Sequence, residues 1–146
     1  MANALQVEVA APDGLVWEGE AVSVIVRTTE GDIGILADHE PVMAAMVPCA
    51  AEVVATDGRR EVIAVGGGFV SVYQNRVSLL SETAMLAEEV SLASADRALA
   101  AMKSDMDQGL LSEREERRYH QLEAQVIAGR RFEQLAGSLN GVTTGS

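Results

Sequence analysis

The strongest constraint on how this chain folds is a single change of hydrophobic period near Val90. Upstream, apolar residues alternate with polar ones, as in Leu5-Gln6-Val7-Glu8-Val9, the pattern of strands with one buried face. Downstream, Leu92, Ala95, Leu99, Met102 and Met106 recur every three or four residues, which puts them on one face of a helix. The chain therefore divides into a β part followed by an α part.

Within the β part, Pro12-Asp13-Gly14 is turn chemistry. Leu15–Gly19 holds the only tryptophan, and Ala21–Arg27 is rich in β-branched residues. Pro41–Val47 fits a short helix or a strand by periodicity, and the turn signals around it favour a strand. Asp57-Gly58 separates two β-rich runs, a hairpin signal. Counting each run separately predicts a β-sandwich of about ten short strands over residues 1–90. In the α part, Ser91 is a natural N-cap and Gln108-Gly109 stops the first helix. Ser112-Glu113-Arg114-Glu115 is a capping box that opens a second helix. Its Tyr119, Leu122, Val126, Gly129 and Phe132 recur at helical spacing. An antiparallel helical hairpin over 91–136 follows, with a Gly-, Ser- and Thr-rich tail at 137–146 that reads as disordered.

Charge is divided along the same line. Residues 1–90 carry four arginines against fourteen acids, whereas 91–146 carry seven basic and eight acidic groups. The net charge of −11 excludes a nucleic-acid partner, whose phosphates would be repelled. Only 3% of residues are aromatic, so the core must be built from aliphatic side chains. No apolar run approaches the roughly 18 residues of a membrane span, and the N-terminus does not read as a signal peptide. The single cysteine, Cys49, allows no internal disulfide, suits a reducing compartment, and reads as a small buried hydrophobe.

Two stretches stand out locally. In Gly31-Asp32-Ile33-Gly34-Ile35-Leu36-Ala37-Asp38-His39-Glu40-Pro41-Val42, glycines serve a tight turn into a short strand, and Pro41 ends the ladder. Composition alone reads His39 as a turn histidine. Gly66-Gly67-Gly68 leads into the alternating Phe69–Tyr73 rather than a helix, and no Lys-Ser or Lys-Thr follows. These glycines are therefore no phosphate cradle; they suit one sheet crossing closely over the other.

Together the two stretches resemble the F-type ATP synthase epsilon subunit. Glu30-Gly31-Asp32-Ile33-Gly34-Ile35 with His39-Glu40-Pro41 is similar to that family's turn signature, with Ala37 where the family has a proline. Gly67-Gly68-Phe69-Val70 and Asn75-Arg76-Val77-Ser78-Leu79-Leu80 are similar to two of its later strands, and the likeness spans residues 5–107. The resemblance implies a non-catalytic rotor subunit in the central stalk of a proton-translocating bacterial enzyme. That places it on the cytoplasmic side of the plasma membrane, with the gamma subunit and the c-ring as partners. It puts Asp32 at the polar loops of the ring and His39 near gamma. It also implies that the hairpin can extend to the alpha/beta catalytic head and inhibit ATP hydrolysis. Arg114, Arg117, Arg118, Arg130 and Arg131 are then the inhibitory contacts. Read without the resemblance, those arginines form a solvated face with pairs such as Glu113–Arg117 and Glu133–Arg130. The competing class is a free-standing β-sandwich binding module with a helical dimerisation hairpin.

No HExxH, CxxC, GxSxG or Walker loop occurs, so the sequence predicts no catalytic centre, metal or cofactor on this chain. Some relatives hold ATP through an aliphatic-Asp-x-x-Arg-Ala motif. Here Ser91 and Ser94 replace its acid and arginine within Val90–Ala95, which predicts no useful ATP affinity.

Overall fold

A computed structural model describes residues 3–144, with side chains through Gly137. Seven strands precede two helices: β1 (Leu5–Ala11), β2 (Gly14–Thr28), β3 (Gly31–Leu36), β4 (Val42–Ala55), β5 (Arg60–Tyr73), β6 (Arg76–Ser81) and β7 (Ala84–Leu86). A 3₁₀ turn, Ala87–Glu89, leads into α1 (Leu92–Asp107) and then α2 (Glu113–Thr144). The strand order is β1-β6-β5-β4-β2-β3. A β1–β2 pairing closes the sheet on itself, and β7 adds to β5. The β1–β6 pair is parallel, and the other pairings are antiparallel.

The expected ten strands are corrected to seven, because three pairs of runs are single long strands. Leu15–Gly19 and Ala21–Arg27 both belong to β2, Pro41–Val47 from Val42 on and Ala51–Thr56 as far as Ala55 to β4, and Arg60–Val65 and Phe69–Tyr73 to β5. Each long strand changes the face it buries partway along. In β2 the buried positions are Ala21 and then Val24, Val26 and Thr28; the phase moves at a register shift between Ala21 and Ser23. An extra residue at such a bulge turns every later side chain to the opposite face. In β5 the inward residues pass from Ile63 and Val65 to Val70 and Val72 across Gly66-Gly67-Gly68.

That glycine run has a steric cause. Gly67 and Gly68 sit at φ +111° and +116°. A Cβ on Gly68 would overlap the Leu80 carbonyl oxygen and stand 2.8 Å from Ser81 Cα. The buried Ser81 hydroxyl donates to the Gly67 carbonyl at 2.7 Å and fixes the bend. On Gly66 a Cβ would overlap the Thr83 hydroxyl while standing in ordinary contact, 3.6 Å, with Gln121 Cα of α2, so it is Thr83 that requires a glycine here.

One core fills the sandwich, built largely from Leu5, Val9, Val24, Val26, Ile35, Val53, Ile63, Val65, Val70 and Leu79. Along β5, Val62 to Gly67 are all buried, because the core covers one face and α2 the other. The hairpin is joined as its residues predict. Gly109 at φ +69° ends α1, with the Gly109 N–H donating to the Met106 carbonyl and the Leu110 N–H to that of Asp105. The capping box is reciprocal: Ser112 N–H donates to Glu115 Oε1 at 3.0 Å and Glu115 N–H to Ser112 Oγ at 3.2 Å. Ser91 is the N-cap residue of α1, but its hydroxyl makes no cap hydrogen bond. The backbone of 137–144 continues α2, where the sequence suggests a disordered tail; residues 145–146 lie outside the described residues. A helix that is already many turns long adds residues without a new nucleation step.

Gly68→Ala combines a left-handed backbone with overlap on the Leu80 carbonyl, and Gly31→Ala carries the backbone strain alone, with no atom within 4 Å of its Cβ. Strain of this type costs on the order of 1–3 kcal/mol. Urea unfolding should therefore rank Gly68→Ala as clearly the more destabilising of the two.

Candidate interaction surfaces

The turn that carries Asp32 is set by its neighbours. Thr28 Oγ1 donates to the Gly31 carbonyl at 2.8 Å and accepts the Glu30 N–H at 3.1 Å, and Gly31 takes φ +114°. This pairs Asp32 across the ladder with Arg27, whose Nε meets Asp32 Oδ1 at 2.9 Å. The hydrogen bond from Arg27, and then its charge, hold the Asp32 carboxyl below its usual value. Both side chains remain 61% exposed, so the pair orients the acid more than it stabilises the fold.

His39 lies beyond the far end of β3. Its N–H closes a turn on the Leu36 carbonyl at 3.1 Å, and its Nδ1 is 2.7 Å from the Glu40 carbonyl. The neighbouring Asp38 takes φ +67° and is tied to the β5–β6 turn. Its N–H donates to Asn75 Oδ1 at 2.6 Å, and its carboxylate accepts from the Asn75 and Asn3 amides. Asp32 and His39 thus occupy opposite ends of β3, on the order of 20 Å of strand apart. They are two surfaces, and the Asp38–Asn75 tie behind the second was not singled out in the sequence. Asn and Asp are the side-chain types that tolerate a positive φ, so a signal for it was present.

The five arginines of α2 separate in the same way. Arg114, Arg117 and Arg118 are exposed near its start, where Arg118 donates to Gln121 at 2.8 Å. Among the described residues the expected Glu113–Arg117 and Glu133–Arg130 pairs do not form. Arg130 reaches Asp96 on α1 at 3.4 Å instead. Arg131 reaches Glu52 on β4, with Nε to Oε2 at 2.8 Å and Nη2 to Oε1 at 3.1 Å. That two-pronged bond raises the Arg131 pKa further and fixes the charge in place. Glu52 also accepts Arg60 Nη1 at 3.1 Å. Between these groups and the Arg27–Asp32 pair lies a groove of about 460 Å³, walled by Ile25, Cys49, Ile127 and Arg130. Cys49 is buried, as its surroundings suggest, and burial pushes its thiol up. Among the described residues no three His, Cys, Asp or Glu side chains form a metal set.

The chain is thus a two-part protein, a closed β-sandwich that presents an exposed acidic turn and an arginine-bearing helical hairpin laid across it. The family model for the ATP synthase delta/epsilon chain, beta-sandwich domain, matches residues 4–87. The chain belongs to that family, as an F-type ATP synthase epsilon subunit. It is 42% identical over 134 residues to the ATP synthase epsilon chain of Cutibacterium acnes, covering 86% of this chain and 92% of that one. To the epsilon chain of Streptomyces griseus it is 42% identical over 107 residues, covering 73% and 86%. Its fold is also similar to a chain in the Euglena gracilis mitochondrial ATP synthase OSCP/F1/c-ring structure. There the TM-score is 0.68 at 19% identity, with 90% of this chain and 81% of that chain covered.

A carboxylate with a depressed pKa stabilises the fold above its unfolded value, and that contribution is lost as pH falls through the folded value. Asp32 should therefore titrate below 3.8 by NMR, and Arg27→Gln should return its midpoint toward 3.8.

Proposed function

We propose that this epsilon subunit couples the gamma subunit to the c-ring in the central stalk and restrains ATP hydrolysis through its helical hairpin. Family membership along most of the chain carries the reading. The sandwich suits a torque-bearing joint, since a close-packed core resists compression and transmits strain. Asp32, exposed and held ionised by Arg27, is the contact with the polar loops of the ring. His39, on a turn pinned by Asp38 and Asn75, is the contact with gamma. Arg114, Arg117 and Arg118 offer three exposed cations to an acidic surface of the alpha/beta head, and Arg130 and Arg131 join them when the hairpin extends. Extended end to end, Leu92–Thr144 would span about 80 Å at 1.5 Å per residue. Catalysis belongs to the assembled complex rather than to this chain. No described helix is long and apolar enough to cross a membrane, and we place the chain peripherally, through the complex, on the cytoplasmic face of the plasma membrane.

Replacing Asp32 and His39 with alanine should weaken assembly with gamma and the ring, measured by co-purification. The fold should be retained, because Asp32 is exposed and His39 only half-buried. Unchanged assembly would remove the assigned contacts. Deleting the chain after Val90 should leave a sandwich that joins the stalk and should raise ATP hydrolysis by the complex. A complex whose hydrolysis does not rise would leave the hairpin without an inhibitory role.

A further inference from the structure

The hairpin meets the sandwich through a seam distinct from both hydrophobic cores. Val62, Ala64, Ala87, Ala124 and Ala128 form a cluster of their own. The hairpin has a separate centre, Ala95, Leu122 and Val126, with Leu92, Leu99 and Met102 packed on it. Helix α1 packs on α2, and it is α2 that lies along β4 and β5. Four of the five seam residues are alanines. A methyl group withdraws little area from water, so the apolar attraction across the seam is modest for its length.

The polar contact across the same seam is strong by comparison. Glu52 is only 14% exposed and accepts two hydrogen bonds from Arg131, 79 residues away, in the parallel geometry that makes such pairs strong. Arg60, on the neighbouring strand, already holds the Glu52 carboxylate from the sandwich side at 3.1 Å. The receptor for Arg131 is therefore oriented before the helix arrives. The Arg130–Asp96 pair runs from α2 to α1, so it ties the hairpin to itself and not to the sandwich.

We propose that Glu52, oriented by Arg60, is the latch that holds the helical hairpin on the sandwich, and that breaking its pair with Arg131 lets α1 and α2 come away as one unit. On the inhibitory reading above, which this consequence rests on, the latch also keeps Arg131 from an acidic partner surface. A partner carboxylate then competes with Glu52 for the same guanidinium.

Thiol labelling of the full-length chain tests the latch. Ala64, 3% exposed beneath α2, is replaced by cysteine in a Cys49→Ser background. Trp17, packed on the sandwich core, reports by its emission whether the sandwich stays folded. Glu52→Gln should raise the labelling rate at least about tenfold, which corresponds to about 1.4 kcal/mol, with the Trp17 transition unchanged. Arg131→Gln should do the same. The double variant should label no faster than the faster single, because both remove one interaction. Labelling unchanged in both singles, or rates that multiply in the double, would overturn the latch. If Ala64→Cys itself loosens the seam, Ala124→Cys reads the same event from the helix side. In the assembled complex, Glu52→Gln that opens the hairpin without changing ATP hydrolysis would keep the latch and remove the inhibitory role. Hydrolysis that changes while the labelling rate does not would remove the latch and leave the inhibitory role standing.

Discussion

How closely a helix can lie on a strand decides most of this structure. Gln121 Cα stands 3.6 Å from where a side chain on Gly66 would begin, ordinary contact distance, and the Thr83 hydroxyl already fills that space. Alanines at 50, 64, 124 and 128 keep the gap narrow along the rest of the contact. The two faces of β5 then serve two masters, the sandwich core and the hairpin. The strand accommodates this by turning over at Gly67 and Gly68, beyond the region that α2 covers. A narrow seam lets two charged side chains meet across it, and Glu52 and Arg131 do so. The same narrowness means that no deep apolar interlock joins the two parts.

The β-then-α order was legible because hydrophobic period is a local property, and so were the helix stops and the capping box. Ser112 and Glu115 are three residues apart, and Gly109 acts on its own turn. The strand count was not legible. Whether Leu15–Gly19 and Ala21–Arg27 are two strands or one depends on which partner each meets, and β2 pairs with β1 along one half and with β3 and β4 along the other. A bulge preserves a strand while breaking its alternation, so the sequence resembles an interruption.

The candidate surfaces divide along the same boundary. Asp32 and His39 stand out in the sequence because they sit in a compact motif next to glycine and proline. The roles of Arg130 and Arg131 could not, because their partners lie 34 and 79 residues away. Spacing on α2 suggested Glu133 as the partner of Arg130 and offered none for Arg131. Tertiary placement put Asp96 and Glu52 nearer, and a pair formed at a half-buried carboxylate such as Glu52 is screened less than one in open solvent.

The parallel pairing of β1 with β6 has a consequence for how the chain is made. It joins Gln6 to Arg76 and Ala10 to Leu80, and Glu8 accepts the Ser78 hydroxyl across the same ladder. Contacts between residues so far apart form slowly, because a long loop must close before any of them is gained. During synthesis the sandwich cannot shut until β6 has left the ribosome, whereas α1 and α2 meet through a short turn and need no such wait. Docking of the hairpin therefore follows closure of the sandwich, because the surface it lands on, with Glu52 and Arg60, belongs to the closed sheet.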